Sequence, residues 1–289
     1  MSSNSIPIKI RNSLTHFGFN ATARRCARSA ARRLRRVGLF ILYQGMGREC
    51  PFCGLRFRRF ISYPGEPSPL FTQEHIVGGG PCEQSRCPLC SSTQRQRLVF
   101  LYLKTRTTIF TDTIRLLHMA PENNLQRVLQ SCANIEYVSA DLNSLLASVR
   151  TDITAMSFGD KSFDVVVCNH VLEHIPDDRK AMRELARVLK PGGWAVLQVP
   201  IGAERTATEE DPWISNPDEQ LRRFGQANHV RLYGRADYVR RLENVGFCVE
   251  QCSLSKQNGE AYVRRFGLLQ DEYVFVARKP MSRSSLGSR

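Results

Sequence analysis

The first 48 positions of this 289-residue chain contain no acidic residue; Glu49 is the first. Ahead of it stand Lys9, Arg11, Arg24, Arg25, Arg28, Arg32, Arg33, Arg35, Arg36 and Arg48, so ten charges of the net +14 lie in an arm and +4 remains for everything after. Long apolar runs are also missing. The longest near the N-terminus is VGLFILY at residues 37–43, against about 20 residues needed to cross a bilayer, so no spanning helix is expected. A secretory signal is lacking as well. Ten cysteines, four of them in two C-x-x-C pairs, then point to a reducing compartment and to metal ligands rather than disulfides. The expected location is cytoplasmic, with a membrane-peripheral or mitochondrial site as alternatives if residues 1–40 bind anionic lipid or act as a transit peptide.

What is present divides the chain into four parts: a basic arm (1–45), a zinc-binding module (46–104), a long α/β domain (105–280) and a disordered tail (281–289). In the arm, ATARRCARSAARRLRRVG reads as a helix with Ala23, Ala27, Ala30, Leu34 and Val37 on one side and arginines over most of the rest. That pattern fits a solvated helix, a contact with an anionic membrane surface, or nucleic acid, and does not separate them.

Cys50-Pro-Phe-Cys53-Gly and Cys87-Pro-Leu-Cys90 are two knuckles, each putting two thiolates on a tight turn, as a tetrahedral Zn²⁺ with four sulfurs requires. His75 and Cys82, in the long intervening loop, are alternative ligands. Such a closed site has no open position for substrate, so its expected role is to fold a module with little core of its own. The aromatic and basic run LRFRRFISY beside the first knuckle resembles a single-strand stacking surface, but such residues more often cover the metal, and nucleic acid is not the expected partner.

Beyond the module, apolar strands at 114–120, 135–140, 163–169, 193–200, 247–252 and 272–278 alternate with helices near 122–132, 177–189 and 234–245. This is the pattern of a Rossmann-like, doubly wound, mostly parallel sheet, here expected to have seven strands. Ligands of such sheets sit beyond the strands' C-terminal ends. Asp141 closes the second strand 21 residues after Ala120, a spacing that suits a carboxylate on ribose hydroxyls as well as a turn-former.

At this point the motifs ADL, TDITAMSFGDKSFDVVVCNHVLEHIPD and ELARVLKPGGWAVLQVP resemble the consecutive motifs of class I S-adenosylmethionine-dependent methyltransferases of the small-molecule type, over roughly residues 112–279. CPLCSSTQRQR, LLHMAPE and FGQANHVRLYGR are further similar to a bacterial subgroup with a zinc knuckle ahead of that domain. The resemblance implies that Asp141 with Leu142 binds the cofactor's ribose, that Asp152 and Ile153 flank its adenine, and that Asn169 and His170 face its methionine end and the substrate. The first motif departs from the family. LLHMAPENN places His118 where an acid is usual, and Ala120, Glu122 and Asn124 where glycines are usual, so side chains should crowd a turn that relies on positive φ. Either Pro121 opens the helix and Glu122 supplies a carboxylate for the cofactor's ammonium, or the site is impaired and the domain serves as a scaffold or an anionic-polymer adaptor.

Methyl transfer from a sulfonium needs positioning and, for a hydroxyl nucleophile, a base; His170 and His229 are the candidates. Trp213, Arg231 and Tyr233, in or after a long polar insertion expected to cover the acceptor, are candidate substrate contacts. The N-P-P-[YF] tetrad of amino-methylating enzymes is absent, which favours oxygen on a small molecule, sugar or lipid precursor. His170-x-x-Glu173-His174 spells an inverted zinc-protease motif. Because a strand runs straight into His170, the motif's histidines are not expected to share one helix face. If zinc folds the module, chelation should remove amide protection over residues 48–95; unchanged protection would contradict the four-cysteine assignment.

Overall fold

The computed structural model describes residues 27, 30–31, 34–63, 68–80, 82–144 and 147–281. Residues 282–289 of the expected tail, and most of the first half of the arm helix, with Ala23, fall outside them. Residues up to Gln44 form one unit and those from Gly45 onward another. In the first, residues 34–43 are helical (α1), with Leu34, Val37 and Ile41 exposed. No helix among the described residues is long and apolar enough to cross a membrane.

The second unit begins with the cysteines. Strand β1 (Gln44–Glu49) leads into the first knuckle and β2 (Arg56–Phe57) returns beside it. The two knuckles have matching backbones. The Gly54 N–H donates to the Cys50 carbonyl (2.9 Å) and the Cys50 N–H to Leu55 (3.0 Å); the Ser91 N–H donates to Cys87 (3.0 Å) and the Cys87 N–H to Ser92 (2.9 Å). Each turn closes on a left-handed residue, Gly54 (φ 70°) in one and Ser91 (φ 60°) in the other. Between them run β3 (Ile61–Tyr63), the short α2 (Leu70–Gln73), β4 (Ile76–Val77) and β5 (Cys82–Arg86).

Helix α3 (Gln94–Arg106) starts at Thr93, whose backbone N–H donates to the Gln96 side chain (3.3 Å), one half of a capping box. Its Arg97 is fully buried. The guanidinium donates to the carbonyls of Ser85 (2.7 Å), Ser92 (2.6 Å), Phe266 (2.7 Å) and Gly267 (2.9 Å) and lies over the Phe60 ring. A buried cation is tolerated because four carbonyls replace its water. It ties the cysteine turns to the end of the chain.

The main sheet is built from β6 (Ile114–Met119), β7 (Ile135–Asp141), β8 (Val149–Arg150), β9 (Phe163–Asn169), β10 (Leu189–Gln198), β14 (Cys248–Cys252) and β15 (Val274–Arg278). Its order is β14-β15-β10-β9-β6-β7-β8, with β15 antiparallel to both neighbours and the other pairings parallel. Helices α4 (Asn123–Gln130), α5 (Asp178–Val188) and α7 (Arg235–Asn244) belong to its crossovers. Side chains of β9 alternate: Val166 and Cys168 join the core under α5 and α7, while Val165 and Val167 join the core under α3 and α4. Both faces are covered, which is why the strand reads as an unbroken apolar run. The doubly wound, seven-stranded sheet expected from the pattern is present.

Two details differ from expectation. Helix α5 stops at Val188, and LKPGG is drawn into β10, whose register shifts between Leu189 and Trp194; a Cβ on Gly193 would sit 2.8 Å from the Asp164 carbonyl, so the close strand approach requires glycine there. The polar insertion is not an open loop. It forms β11 (Ile201–Gly202), β12 (Glu209–Glu210) and α6 (Pro217–Phe224), and with β13 (Arg231–Gly234) and β4 it makes a four-stranded sheet in the order β12-β13-β11-β4. The segment between the knuckles is thereby woven into the larger domain.

A left-handed non-glycine residue costs about 1 kcal/mol. Ser91→Gly should therefore stabilise the fold by roughly 0.5 kcal/mol or less, after the added freedom of the unfolded chain is counted, read as a small rise in Tm. A fall in Tm would contradict the matched-knuckle account.

Candidate active site

The sheet order reverses between β6 and β9, so the crevice for a ligand lies past Met119 and Asn169. Both strands end on a left-handed residue, Ala120 (φ 44°) and His170 (φ 55°). The Ala120 N–H donates to the Ala140 carbonyl (2.8 Å) and the His170 N–H to Gln198 (2.7 Å), which fixes the two corners. The turn that lacks glycine takes the positive-φ conformation anyway, on the residue with the smallest Cβ. Contrary to the expectation that Pro121 opens the helix, α4 begins at Asn123 with Glu122 at its N-cap.

Glu122 closes this corner. Its Oε2 is 3.1 Å from His118 Nε2 and accepts from Asn169 Nδ2 at 3.3 Å, and His118 Nδ1 meets the Tyr137 hydroxyl at 3.0 Å. Burial pushes the carboxyl up, but the hydrogen bond and charge of His118, with His170 and Arg95, outweigh it and leave its pKa below the ordinary value. Asn169 Oδ1 is buried with no partner. An ionised carboxylate beside an unpaired carbonyl is a set of acceptors suited to an ammonium group.

The other residues implied for the cofactor stand at the neighbouring strand ends. Asp141 Oδ1 accepts from the N–H groups of Asn143 and Ser144 (both 2.7 Å), shaping the turn after β7, with Leu142 exposed. Asp152 Oδ1 accepts from the Thr154 N–H (2.8 Å) and hydroxyl (2.9 Å), while Ile153 is buried. In both aspartates one oxygen orders a local turn.

A cavity of about 330 Å³ opens beside His170. The cysteine-bearing segment forms one wall with Gly78, Gly79, Gly80, Thr93, Gln94 and Arg95; Glu173, His174, Gly225, Gln226 and His229 form another. No helix carries the H-x-x-E-H motif. His170 is the corner after β9, and a single 3₁₀ turn (Leu172–His174) carries the rest, so the arrangement of an inverted zinc protease is absent. Both nitrogens of His170 are buried without a hydrogen bond; Nδ1 lies 3.3 Å from Glu173 Oε1 but out of line for one. Its pKa is lowered by burial and by Arg95 against the pull of Glu173 and Glu122. His229 is lowered to about 4, chiefly by burial and also by His174 and His170, against Glu173. Both rings are neutral at pH 7.

The three proposed substrate contacts need correction. Trp213 stands 88% exposed and is not among the residues lining the cavity. Arg231 is buried, and its guanidinium is consumed by the protein: Nε meets Glu210 (3.1 Å), Nη1 donates to Leu172 (2.8 Å) and Ile175, and Nη2 to Pro176 (2.8 Å). It pins the turn that carries Glu173 and His174. Tyr233 is buried too, donating to Asp178 at 2.7 Å.

The four sulfurs of Cys50, Cys53, Cys87 and Cys90 converge to within 4.8 Å of one another. The alternatives lie elsewhere: Cys82 Sγ donates to Glu83, and His75 sits 3.8 Å from Asp271. Glu272 was not marked by any sequence signal. It is 4% exposed, both oxygens lack partners, and burial raises its pKa to about 7 against Arg95 and Arg97. A Cβ built on Gly78 would lie 3.4 Å from Glu272 Oε1 and 3.8 Å from His170 Cε1, so both side chains lie against the cavity's glycine wall.

Residues 115–197 match the family model described as a methyltransferase domain. These residues thus make up a methyltransferase domain. The chain is 45% identical over 154 residues to a ubiquinone biosynthesis O-methyltransferase of Ralstonia nicotianae, a match covering 49% of this chain and 62% of that one. It is 38% identical over 77 residues to the uncharacterized methyltransferase YcgJ of Bacillus subtilis, covering 27% and 28%. The chain thus spans less than two thirds of these relatives' own lengths. Among solved structures, YcgJ aligns at a TM-score of 0.41 with 17% identity (64% of this chain, 98% of that one), and the [4+2]-cyclase SpnF at 0.42 with 19% (74% and 93%). The methyltransferase domain holds every cofactor candidate named above. The cavity wall formed by Gly78–Gly80 and Thr93–Arg95 precedes the residues of the match.

Glu272 generates a stability prediction. A carboxyl whose folded pKa is raised imposes no penalty below its unfolded value near pH 4 and an increasing one as pH climbs to about 7. Glu272→Gln should therefore gain stability relative to the parent between pH 4 and pH 8 by about 3 kcal/mol, measured by denaturant unfolding at both pH values. A difference that does not change with pH would contradict this environment.

Proposed function

We propose that the chain transfers the methyl group of S-adenosylmethionine to an oxygen of a small-molecule acceptor, with a structural zinc ion held by Cys50, Cys53, Cys87 and Cys90. The observation that carries this reading is the acceptor pair at the switch point, the Glu122 carboxylate and the unpartnered Asn169 Oδ1. Together they suit the ammonium of the cofactor's amino-acid end. Asp141 would take the ribose, and Asp152 with Ile153 the adenine. When bound, the cofactor supplies an electrophilic methyl group for in-line displacement.

The residues of this chain do the rest. His170, with two unbonded nitrogens in the cavity wall, takes the proton of the acceptor hydroxyl. Glu173 beside its Nδ1 steadies the imidazolium that forms, as a carboxylate does for a catalytic histidine. The glycine wall leaves room for the acceptor. An acceptor oxygen is supported by the O-methyltransferase relative, and a small acceptor by the modest cavity volume.

The cysteine cluster suits zinc. Ser92 Oγ lies 3.2 Å from both Cys50 Sγ and Cys90 Sγ, in reach to donate to thiolates, and buried Arg97 hydrogen-bonds the backbone beside them. The ion would hold the two turns in register and so hold the cavity wall that follows.

Transfer of a labelled methyl group from S-adenosylmethionine to pooled small hydroxylated acceptors tests the reading. His170→Gln should lower kcat by about 10²–10⁴-fold while leaving cofactor affinity within a few-fold. Transfer undiminished in the variant would remove His170 from the chemistry, and transfer only to nucleic acid would overturn the small-molecule acceptor.

A further inference from the structure

The 3₁₀ turn after β9 and His229 form a cluster of which methyl transfer, as described above, uses only the Glu173 oxygen that faces His170. Glu173 is 1% exposed, with neither carboxylate oxygen hydrogen-bonded, and it points among imidazoles. His229, 55 positions further along the chain than His174, stacks edge-on to that ring with centroids 4.7 Å apart. One ligand atom each from Glu173, His174 and His229 lies within 4.8 Å of the others. An ionised carboxylate buried without a hydrogen-bond donor is costly unless a cation meets it. Among the described residues no lysine or arginine forms an ion pair with it: Arg231, the nearest in sequence to His229, spends its guanidinium on Glu210 and on the carbonyls of the turn.

The orientation of the rings is that of metal ligands. His174 Nδ1 lies 3.0 Å from the Asn228 carbonyl, so it carries the proton and turns a bare Nε2 away from it; an outer carbonyl that fixes the tautomer in this way is the usual support of a metal-bound histidine. His229 Nδ1 is buried with no partner. The turn itself is held rigid. The Val230 N–H donates to the Glu173 carbonyl (3.0 Å), and Arg231 clamps Leu172, Ile175 and Pro176. Two imidazoles and one carboxylate form a donor set for zinc or another divalent first-row transition metal rather than for Mg²⁺ or Ca²⁺, which prefer all-oxygen shells. The spread of 4.8 Å exceeds the edge of about 3.3 Å of a tetrahedral zinc site, a gap that small side-chain rotations close.

We propose that Glu173, His174 and His229 bind a divalent transition-metal ion with zinc-like preferences, separate from the four-cysteine ion. Three protein ligands leave a position open, and all three residues line the cavity beside His170, so that position faces the space given above to the acceptor. The ion's existence does not depend on the methyl-transfer reading; its use in binding an oxygen-bearing acceptor does.

The test is metal content of the full-length protein after loading with Zn²⁺ and dialysis, in the absence of S-adenosylmethionine. The expected count is one more zinc per chain in the parent than in His174→Gln or His229→Gln. Equal counts in the parent and both variants overturn the proposal. Titration of the unaltered apoprotein with Co²⁺ gives a readout that no variant's folding can obscure: one binding phase should show the near-ultraviolet thiolate charge-transfer band of the cysteine cluster, and a second should show visible bands without it. A single phase carrying only thiolate absorption also overturns it. Loss of methyl transfer with the extra metal retained would count against the function above and leave this site standing.

Discussion

The Glu122 carboxylate joins the two strands on which the rest of the site depends. It is the N-cap of the helix after β6, yet its oxygen reaches His118 on β6 and Asn169 at the end of β9, the two strands that flank the reversal of sheet order. In many nucleotide-binding sheets, glycines let the backbone approach the ligand there. Here Ala120 accepts the left-handed corner, and the Glu122 carboxylate stands beside it. A half-buried carboxylate whose hydrogen-bond partners among the described residues are His118 and Asn169 is hard to explain as packing. As half of an ammonium site it has a reason.

The cysteine-bearing segment is more than an appendage to this domain. Arg97 fastens the second knuckle to Phe266 and Gly267, and β4 pairs with β11, so Gly78–Gly80 and Thr93–Arg95 are carried to the mouth of the crevice. Order in the knuckles and shape of the cavity are therefore coupled. Buried titratable groups collect where the segment meets the sheet: His170, Glu173 and His229 line the cavity, and Glu272 lies against its glycine wall. Such a concentration of unsatisfied buried polar atoms marks functional ground rather than a stable core.

Much of this was legible in the sequence because long apolar strands and their breakers carry a local signal. β6, β7, β9, β14 and β15 fall within a residue or two of where their apolar runs placed them, and both knuckles follow from C-x-x-C alone. Elements with weak local signals were not seen. β8, β11 and β12 are two residues long, and the sheet they help build is specified by partners far apart in sequence. α3 has a readable capping box at Thr93–Gln96 that could have announced it. Trp213, Arg231 and Tyr233 were chosen for residue type in the right region, but type does not report direction. Arg231 points inward to hold a turn and Trp213 points outward. The meeting of His174 with His229, and the isolation of Glu272, arise only from tertiary structure; the inverted protease spelling marked two of the right residues for the wrong geometry.

The claim that most of this account rests on is that a glycine-less first motif binds S-adenosylmethionine through Glu122. Isothermal titration of the cofactor into the parent protein and Glu122→Gln measures it directly. The account predicts saturable binding to the parent and at least a tenfold weaker Kd in the variant, since a charge-assisted hydrogen bond is worth about 1.5–3 kcal/mol. No binding to the parent at millimolar cofactor, or equal affinity in the two proteins, would contradict it.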